Sequence, residues 1–144
     1  MSLFSVLSIG ASGMAAQRTR AELLVENLAN AETTRTPEGG PYRRKDVVFE
    51  STPVASPFAS VFDTQIQAAG GVAVADIVTD HSDPERRYQP GHPDADADGY
   101  VAFPKVNPAE DMVDLMGAAR SYEANVAAIS AVKDMIQRSI DLLH

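Results

Sequence analysis

The stretch that decides the fold is NPAEDMVDLMGAARSYEANVAAISAVKDMIQRSIDLLH, residues 107–144. At heptad spacing it places Met112, Leu115, Ala119, Tyr122, Val126, Ile129, Lys133, Ile136, Ile140 and Leu143 on one line, apolar everywhere except Lys133. Residues that recur every 3.5 positions share one side of an α-helix, so the pattern predicts a single helix with a coiled-coil-type seam. Its start is marked chemically. The Asn107 side chain suits an N-cap, Pro108 has no N–H to leave unpaired in the first turn, and Glu110 stands at the capping-box position. Glu110, Asp111 and Asp114 near the start, and Lys133, Arg138 and His144 toward the end, match the sign of the helix dipole.

Running on to Leu143, this helix would measure about 54 Å at ~1.5 Å per residue. A compact chain of this length is only about 40 Å across. Unless Gly117 breaks it, the helix projects. Between Gly117 and Val132 the only charges are Arg120 and Glu123, while Ala118, Ala119, Ala124, Ala127, Ala128 and Ala131 cover nearly every side. A helix that is apolar or small all round is surrounded by other protein. The rest of the chain is too short to surround it, which points to packing between subunits.

Working outward, the opening segment repeats the pattern: Leu3, Leu7, Gly10, Met14, Gln17, Ala21, Leu24 and Leu28 fall on one seam, with Phe4, Ile9, Leu23 and Val25 beside it and Ser2 as a cap. Gly10, Ser12 and Gly13 weaken its middle, each glycine costing about 1 kcal/mol relative to alanine. Both termini are therefore expected to fray until paired. Residues 32–106 change character, with glycine, proline, aspartate and threonine frequent, as in Thr36-Pro37-Glu38-Gly39-Gly40-Pro41. Strands are expected over 42–50, 72–78 and 100–106, with 51–62 irregular and 80–98 an extended loop. The expected fold class is α+β: terminal helices, 1–31 and 107–144, pairing as a coiled-coil-like unit around a small β-rich central insert, 32–106.

Composition narrows the function. A formal net charge of -8 argues against a nucleic-acid partner, since phosphate binding needs clustered positive charge. Arg43-Arg44-Lys45 is the single basic group and reads as surface charge beside a strand. The absence of cysteine excludes a disulfide framework, a thiol nucleophile and Cys-ligated zinc. No positive charge precedes Arg18 and the apolar run from Leu3 to Ile9 is short, so a cleaved secretion signal is not expected, nor is a membrane-spanning helix.

Asp94-Ala95-Asp96-Ala97-Asp98-Gly99 matches the first half of a calcium loop, but Lys105 occupies the position where a bidentate glutamate must close it. It reads as an acidic turn before a strand. His81, His92 and His144 form no i, i+3 or i, i+4 pair, neither a His-Glu-x-x-His nor a Ser/His/Asp signature is present, and Gly39-Gly40 and Gly70-Gly71 read as turns. No catalytic residue, metal ligand, cofactor or small-molecule substrate is expected.

With both helical ends and the acidic turn described, the chain resembles the bacterial flagellar axial proteins of rod and hook, and within them the proximal-rod proteins. The broader match is Asn27-Leu28-Ala29-Asn30-Ala31 followed by Thr33-Thr34. The narrower one rests on four blocks in order: Gly39 through Lys45; Gly91-His92-Pro93-Asp94-Ala95-Asp96 through Gly99-Tyr100-Val101; Pro104 with Val106-Asn107; and Met112 with Ala119-Arg120-Ser121-Tyr122-Glu123-Ala124-Asn125. Between Glu50 and Pro90 no family pattern is recognisable, and Glu32 departs from the small or amide residue expected after Ala31. The resemblance implies terminal helices paired as the inner layer of a tubular rod and a central insert facing outward. It also implies uncleaved export by the flagellar type III apparatus and a place in the basal-body rod that spans the periplasm and transmits torque. The partners so implied are other rod proteins and further copies of the chain.

The residues expected to bind partners are Leu3, Leu7, Met14, Leu24, Asn27, Leu28 and Asn30 in the first helix. In the second they are Met112, Leu115, Ala119, Tyr122, Asn125, Val126, Ile129, Ile136, Ile140 and Leu143. Asn27, Asn30 and Asn125 fix register or satisfy backbone at helix ends, and Tyr122 suits a central anchor with its large ring and polar hydroxyl. The alternative is a coiled-coil adaptor or chaperone-like module that closes into a discrete oligomer; a calcium-binding or hydrolytic domain ranks third.

Overall fold

The computed structural model describes residues 3–53 and 70–142. In chain order they form α1 (Leu3–Ala29), β1 (Lys45–Pro53), β2 (Gly70–Thr79), β3 (Glu85–Tyr88), β4 (Tyr100–Phe103) and α2 (Pro108–Asp141). Among the described residues, two helices and two small antiparallel sheets make the fold α+β, as expected. Helix α2 runs unbroken through Gly117. It begins where its chemistry requires, with Asn107 Oδ1 accepting the Ala109 N–H at 3.2 Å and Pro108 in the first turn.

Helix α1 is the spine of the molecule. On one side α2 packs antiparallel to it at close range: a Cβ on Gly10 would lie 3.0 Å from Ile129 Cγ1, and one on Gly13 would lie 3.0 Å from Asn125 Nδ2. The glycines that weaken α1 as an isolated helix therefore allow α2 to approach. Farther along, Arg20 and Asp114 stand 3.9 Å apart. On another side the β1–β2 ribbon lies along α1, tied at one end to Asn27 through Lys45. At the other end Ser12 Oγ accepts the Val72 N–H at 3.0 Å. A register shift between Val48 and Phe49 leaves Ala75 unpaired, a bulge that bends the ribbon.

The observed strands differ from those expected. The first begins at Lys45, not 42, because Tyr42 turns inward to meet Asn27. The last stops at Phe103, because Pro104 has no N–H for the ladder. The stretch 80–98 is not one extended loop: Glu85–Tyr88 pairs antiparallel with Tyr100–Phe103. Its sequence, Glu-Arg-Arg-Tyr, lacks apolar alternation. The strand is held by an edge-on Tyr88–Tyr100 contact and by Arg86 and Arg87 lying over the rings of Tyr100 and Phe103. Of the segment expected to be irregular, 51–53 belong to β1 and 54–62 lie outside the described residues.

The buried set is small and centred on α1: Ala16, Leu23, Leu24 and Asn27, with Tyr42, Val101, Phe103, Asp111, Ala118 and Val132 from what packs around it.

Candidate assembly surface

The seam on α2 divides between two faces. Asp111, Ala118 and Val132 are buried, and Leu115, Asn125, Ile129 and Ile136 are half-buried. These seven positions also follow heptad spacing, but in a frame rotated by one residue for every second position. Leu115, Ile129 and Ile136 belong to both frames. The others expected on the seam point away from the core: Met112 is 52%, Tyr122 42%, Val126 42% and Ile140 46% exposed, and Ala119 is exposed too. Lys133, the charged exception in the expected seam, is exposed, and Val132 takes the internal position. In the rotated frame Lys133 drops out, and Asp111, paired with Arg44, becomes the charged member.

On α1 the expected seam does face inward. Leu24 is buried, and Leu7, Met14 and Leu28 are half-buried. Leu3 lies in the first turn of α1, while Leu143 lies outside the described residues. Asn30 closes the helix end, donating from Nδ2 to Glu26 O at 2.9 Å and accepting from Thr33 Oγ1 at 3.1 Å. Asn27 has no exposed surface. Its Oδ1 accepts from Tyr42 Oη and from Lys45 N, both at 2.9 Å, and its Nδ2 donates to Lys45 O at 2.9 Å. Its partners are thus in its own chain, where it stands in for a strand neighbour at the start of β1.

Around Asn27 lies a polar junction that joins three elements. Lys45 Nζ reaches Glu26 at 2.6 Å. Arg44 bridges Asp46 at 3.0 Å and Asp111 at 2.8 Å, and so ties the start of β1 to the first turn of α2. Asp111 is 1% exposed, and its second oxygen, Oδ2, has no partner among the described residues. Burial, reinforced by the charges of Glu26 and Asp111, pushes the Tyr42 hydroxyl up to about 12. It therefore stays protonated and donates to Asn27. No periodicity signals this junction, since 67 positions separate Arg44, two residues after Tyr42, from Asp111.

The acidic turn is a mechanical part. Asp96 Oδ1 accepts the backbone N–H groups of Asp98 at 3.0 Å and Tyr100 at 2.8 Å, and its other oxygen pairs with Arg86. The Tyr100 N–H leads in holding Asp96 below the usual carboxylate range, against the opposing effect of burial, with Asp98 N–H and Arg86 assisting. Asp94 accepts from Thr34 Oγ1 at 2.8 Å, clasping the turn to the chain that leaves α1. Gly99, at φ 80°, makes the tight exit into β4. Two carboxylates that a calcium loop would aim at a cation are engaged with the protein itself. Among the described residues no cluster of three His, Cys, Asp or Glu side chains is arranged to hold a metal, and no helix is long and apolar enough to cross a membrane.

What the molecule offers outward is apolar surface. Besides the free half of the α2 seam, Val113 and Met116 are 67% and 52% exposed. The seam reading missed both, although each lies one helical turn from Met112 or nearer. On the β1–β2 ribbon Val48, Val72, Val74, Ile77 and Val78 are exposed as well. Contiguous exposed apolar surface marks a place where another protein docks.

Comparison with known proteins agrees with this picture. The chain is 41% identical over 150 residues to the flagellar basal-body rod protein FlgC of Bacillus subtilis, covering 99% of each chain. It is 40% identical over 152 residues to FlgC of Borreliella burgdorferi, covering 100% of this chain and 99% of that one. To FlgC of Escherichia coli O157:H7 it is 40% identical over 142 residues, covering 99% and 98%. The family described as flagellar basal body rod FlgEFG protein C-terminal matches residues 97–142, which take in β4 and α2.

Proposed function

Because this chain belongs to the FlgC family of flagellar basal-body rod proteins, we propose that it is a structural subunit of the rod, without enzymatic activity, that polymerises through its terminal helices. The observation that carries the assembly mechanism is the exposed half of the α2 seam, from Met112 through Val126 to Ile140, with Ala119 and Tyr122 bordering an open groove against Gln17, Arg18 and Ala21 of α1. Methionine, valine and isoleucine surface binds neighbours without directional chemistry, and its burial is favourable by about 25 cal/mol per Å².

In this reading residues 1–31 and 107–144 form the coiled-coil-like inner domain and 32–106 the outward insert. The subunit leaves the cell by the flagellar type III route without cleavage, joins copies of itself and other rod proteins in the periplasm, and passes on motor torque. Many helix contacts share the load, which suits a shaft. The antiparallel packing of α1 against α2 and the exposed remainder of the seam both support it.

Removing the gene from its bacterium should leave basal bodies without a complete rod and cells that do not swim, and restoring the full chain should recover both. The purified chain should sediment as a monomer or weak self-associate. Normal swimming without the gene, or a discrete, stable dimer of the pure chain with protected termini, would overturn the reading and favour the closed adaptor.

A further inference from the structure

Among the described residues nothing requires residue 117 to be glycine. Gly117 lies in the interior of α2, its φ is not positive, and a Cβ built on it would meet nothing within 4 Å. Glycine there makes the helix less stable than alanine would, and what it permits is the close approach of another backbone. At about 100° per residue, Gly117, Ala124 and Ala128 share one flank of α2, roughly a quarter-turn from the face that meets α1. All three are exposed. On the opposite flank stand Met112, Ala119 and Val126, also exposed. Over residues 117–128 one flank carries only Gly117, Ala124 and Ala128, while the other carries Val126 with Met112 before it, and Met135 returns to the Gly117 line farther on; within that stretch each flank complements the other better than it complements itself.

We infer that the bulky flank of α2 in one copy seats against the small flank of α2 in the next copy, with the helices parallel. The inference rests on the rod-subunit reading and deepens it by naming the partner, a second copy of this chain, and the surface. Charge supports the same arrangement. Arg120 and Glu123 are the only charged residues between Gly117 and Val132, and among the described residues neither forms an ion pair. Glu123 leans toward the bulky flank and Arg120 toward the small one. Three residues separate them, about 4.5 Å along the axis. A slide of that distance between neighbours sets Glu123 of one copy opposite Arg120 of the next. The same slide brings Val126 to Ala124 and Ala119 to Gly117, each within one residue of level. A contact between two different surfaces does not close into a dimer; it repeats from copy to copy, as a tube wall requires.

The chain has no cysteine, so a pair can be introduced without background. Val126→Cys and Ala124→Cys, singly and together, would replace the only copy of the gene in the source bacterium, and isolated basal bodies would be oxidised and resolved without reductant. Within one helix the two side chains point to opposite flanks and cannot bridge. The double variant should give a ladder of dimers and larger species, and each single variant should stay monomeric. A dimer band as strong in either single variant, or a double variant that is incorporated yet stays monomeric, overturns the inference while leaving the rod reading intact. Wild-type chain absent from basal bodies overturns both. If the double variant is not incorporated, Gly117→Leu decides: it crowds only the small flank, so it should leave the melting temperature of the purified chain unchanged or higher and lower incorporation at least tenfold. Unchanged incorporation would overturn the inference.

Discussion

Val126 and Ile129 stand three residues apart on the expected seam, and replacing each by aspartate should break different things. Val126 is 42% exposed, so a carboxylate there stays hydrated in the free chain and should alter its stability by no more than about 0.5 kcal/mol. Once a neighbour covers that flank, the same carboxylate is buried without a partner. That costs several kcal/mol, and about 3 kcal/mol already weakens each contact more than a hundredfold. Ile129 faces the other way: its Cγ1 and Cδ1 lie 3.0 and 3.2 Å from where a Gly10 Cβ would be. Aspartate there places the charge between α1 and α2 and should cost the folded chain about 3 kcal/mol, a large part of the ~5–15 kcal/mol that holds a domain together. At ~3 °C per kcal/mol for a chain of this size, the melting temperature should fall by about 10 °C. Circular dichroism melts of the purified variants, beside swimming assays, separate the two effects. Non-motile cells with a normally stable protein are expected for Val126→Asp, and a destabilised protein for Ile129→Asp. Normal swimming with Val126→Asp, or an unchanged melt for Ile129→Asp, would refute the assignment of these faces.

The polar junction makes its own predictions. Asn27→Ala removes three hydrogen bonds and leaves Tyr42 Oη and both backbone groups of Lys45 without their partner; denaturant titration should show a loss of about 3 kcal/mol, and a loss below 1 kcal/mol would contradict the burial of this network. The Tyr42 hydroxyl is raised in the folded chain from an ordinary value near 10 to about 12. Its contribution is therefore complete below pH ~10 and lost as pH climbs toward 12, a decline of order 2 kcal/mol. Tyr42→Phe should flatten that decline in melts across the range, and identical alkaline slopes for the two proteins would count against it. Asp96→Ala frees the N–H groups of Asp98 and Tyr100, so hydrogen exchange in β3 and β4 should accelerate while α1 and α2 stay protected; unchanged protection of Tyr100 would show that the turn does not depend on Asp96.

How much of this was legible without coordinates varies by element. Helix α2 was legible from its start at Asn107 onward because capping is local chemistry, written within four residues. The acidic turn was legible for the same reason: Asp96 bonds to groups two and four residues away. The strand Glu85–Tyr88 was not, because its stabilisation comes from rings on β4, across a turn. Asn27 was singled out as a residue that satisfies backbone at a helix end, but the backbone it satisfies belongs to Lys45, which no local pattern connects to it.

The heptad spacing itself had a built-in ambiguity. A line drawn through 112, 115, 119 and 126 and one drawn through 111, 115, 118 and 125 differ by a single rotation, and an apolar count prefers the first because Met112 outranks Asp111. The internal face is nevertheless the second. Arg44 neutralises Asp111 where α2 begins, and Gly10 and Gly13 admit Ile129 and Asn125 farther along. Residue order alone was enough to establish two long terminal helices with more apolar surface than the chain can cover, since propensity, capping and spacing act over a few residues. Which side of each helix is used inside the molecule and which is left for neighbours was decided only by tertiary structure, because helix rotation is set by contacts between residues tens of positions apart.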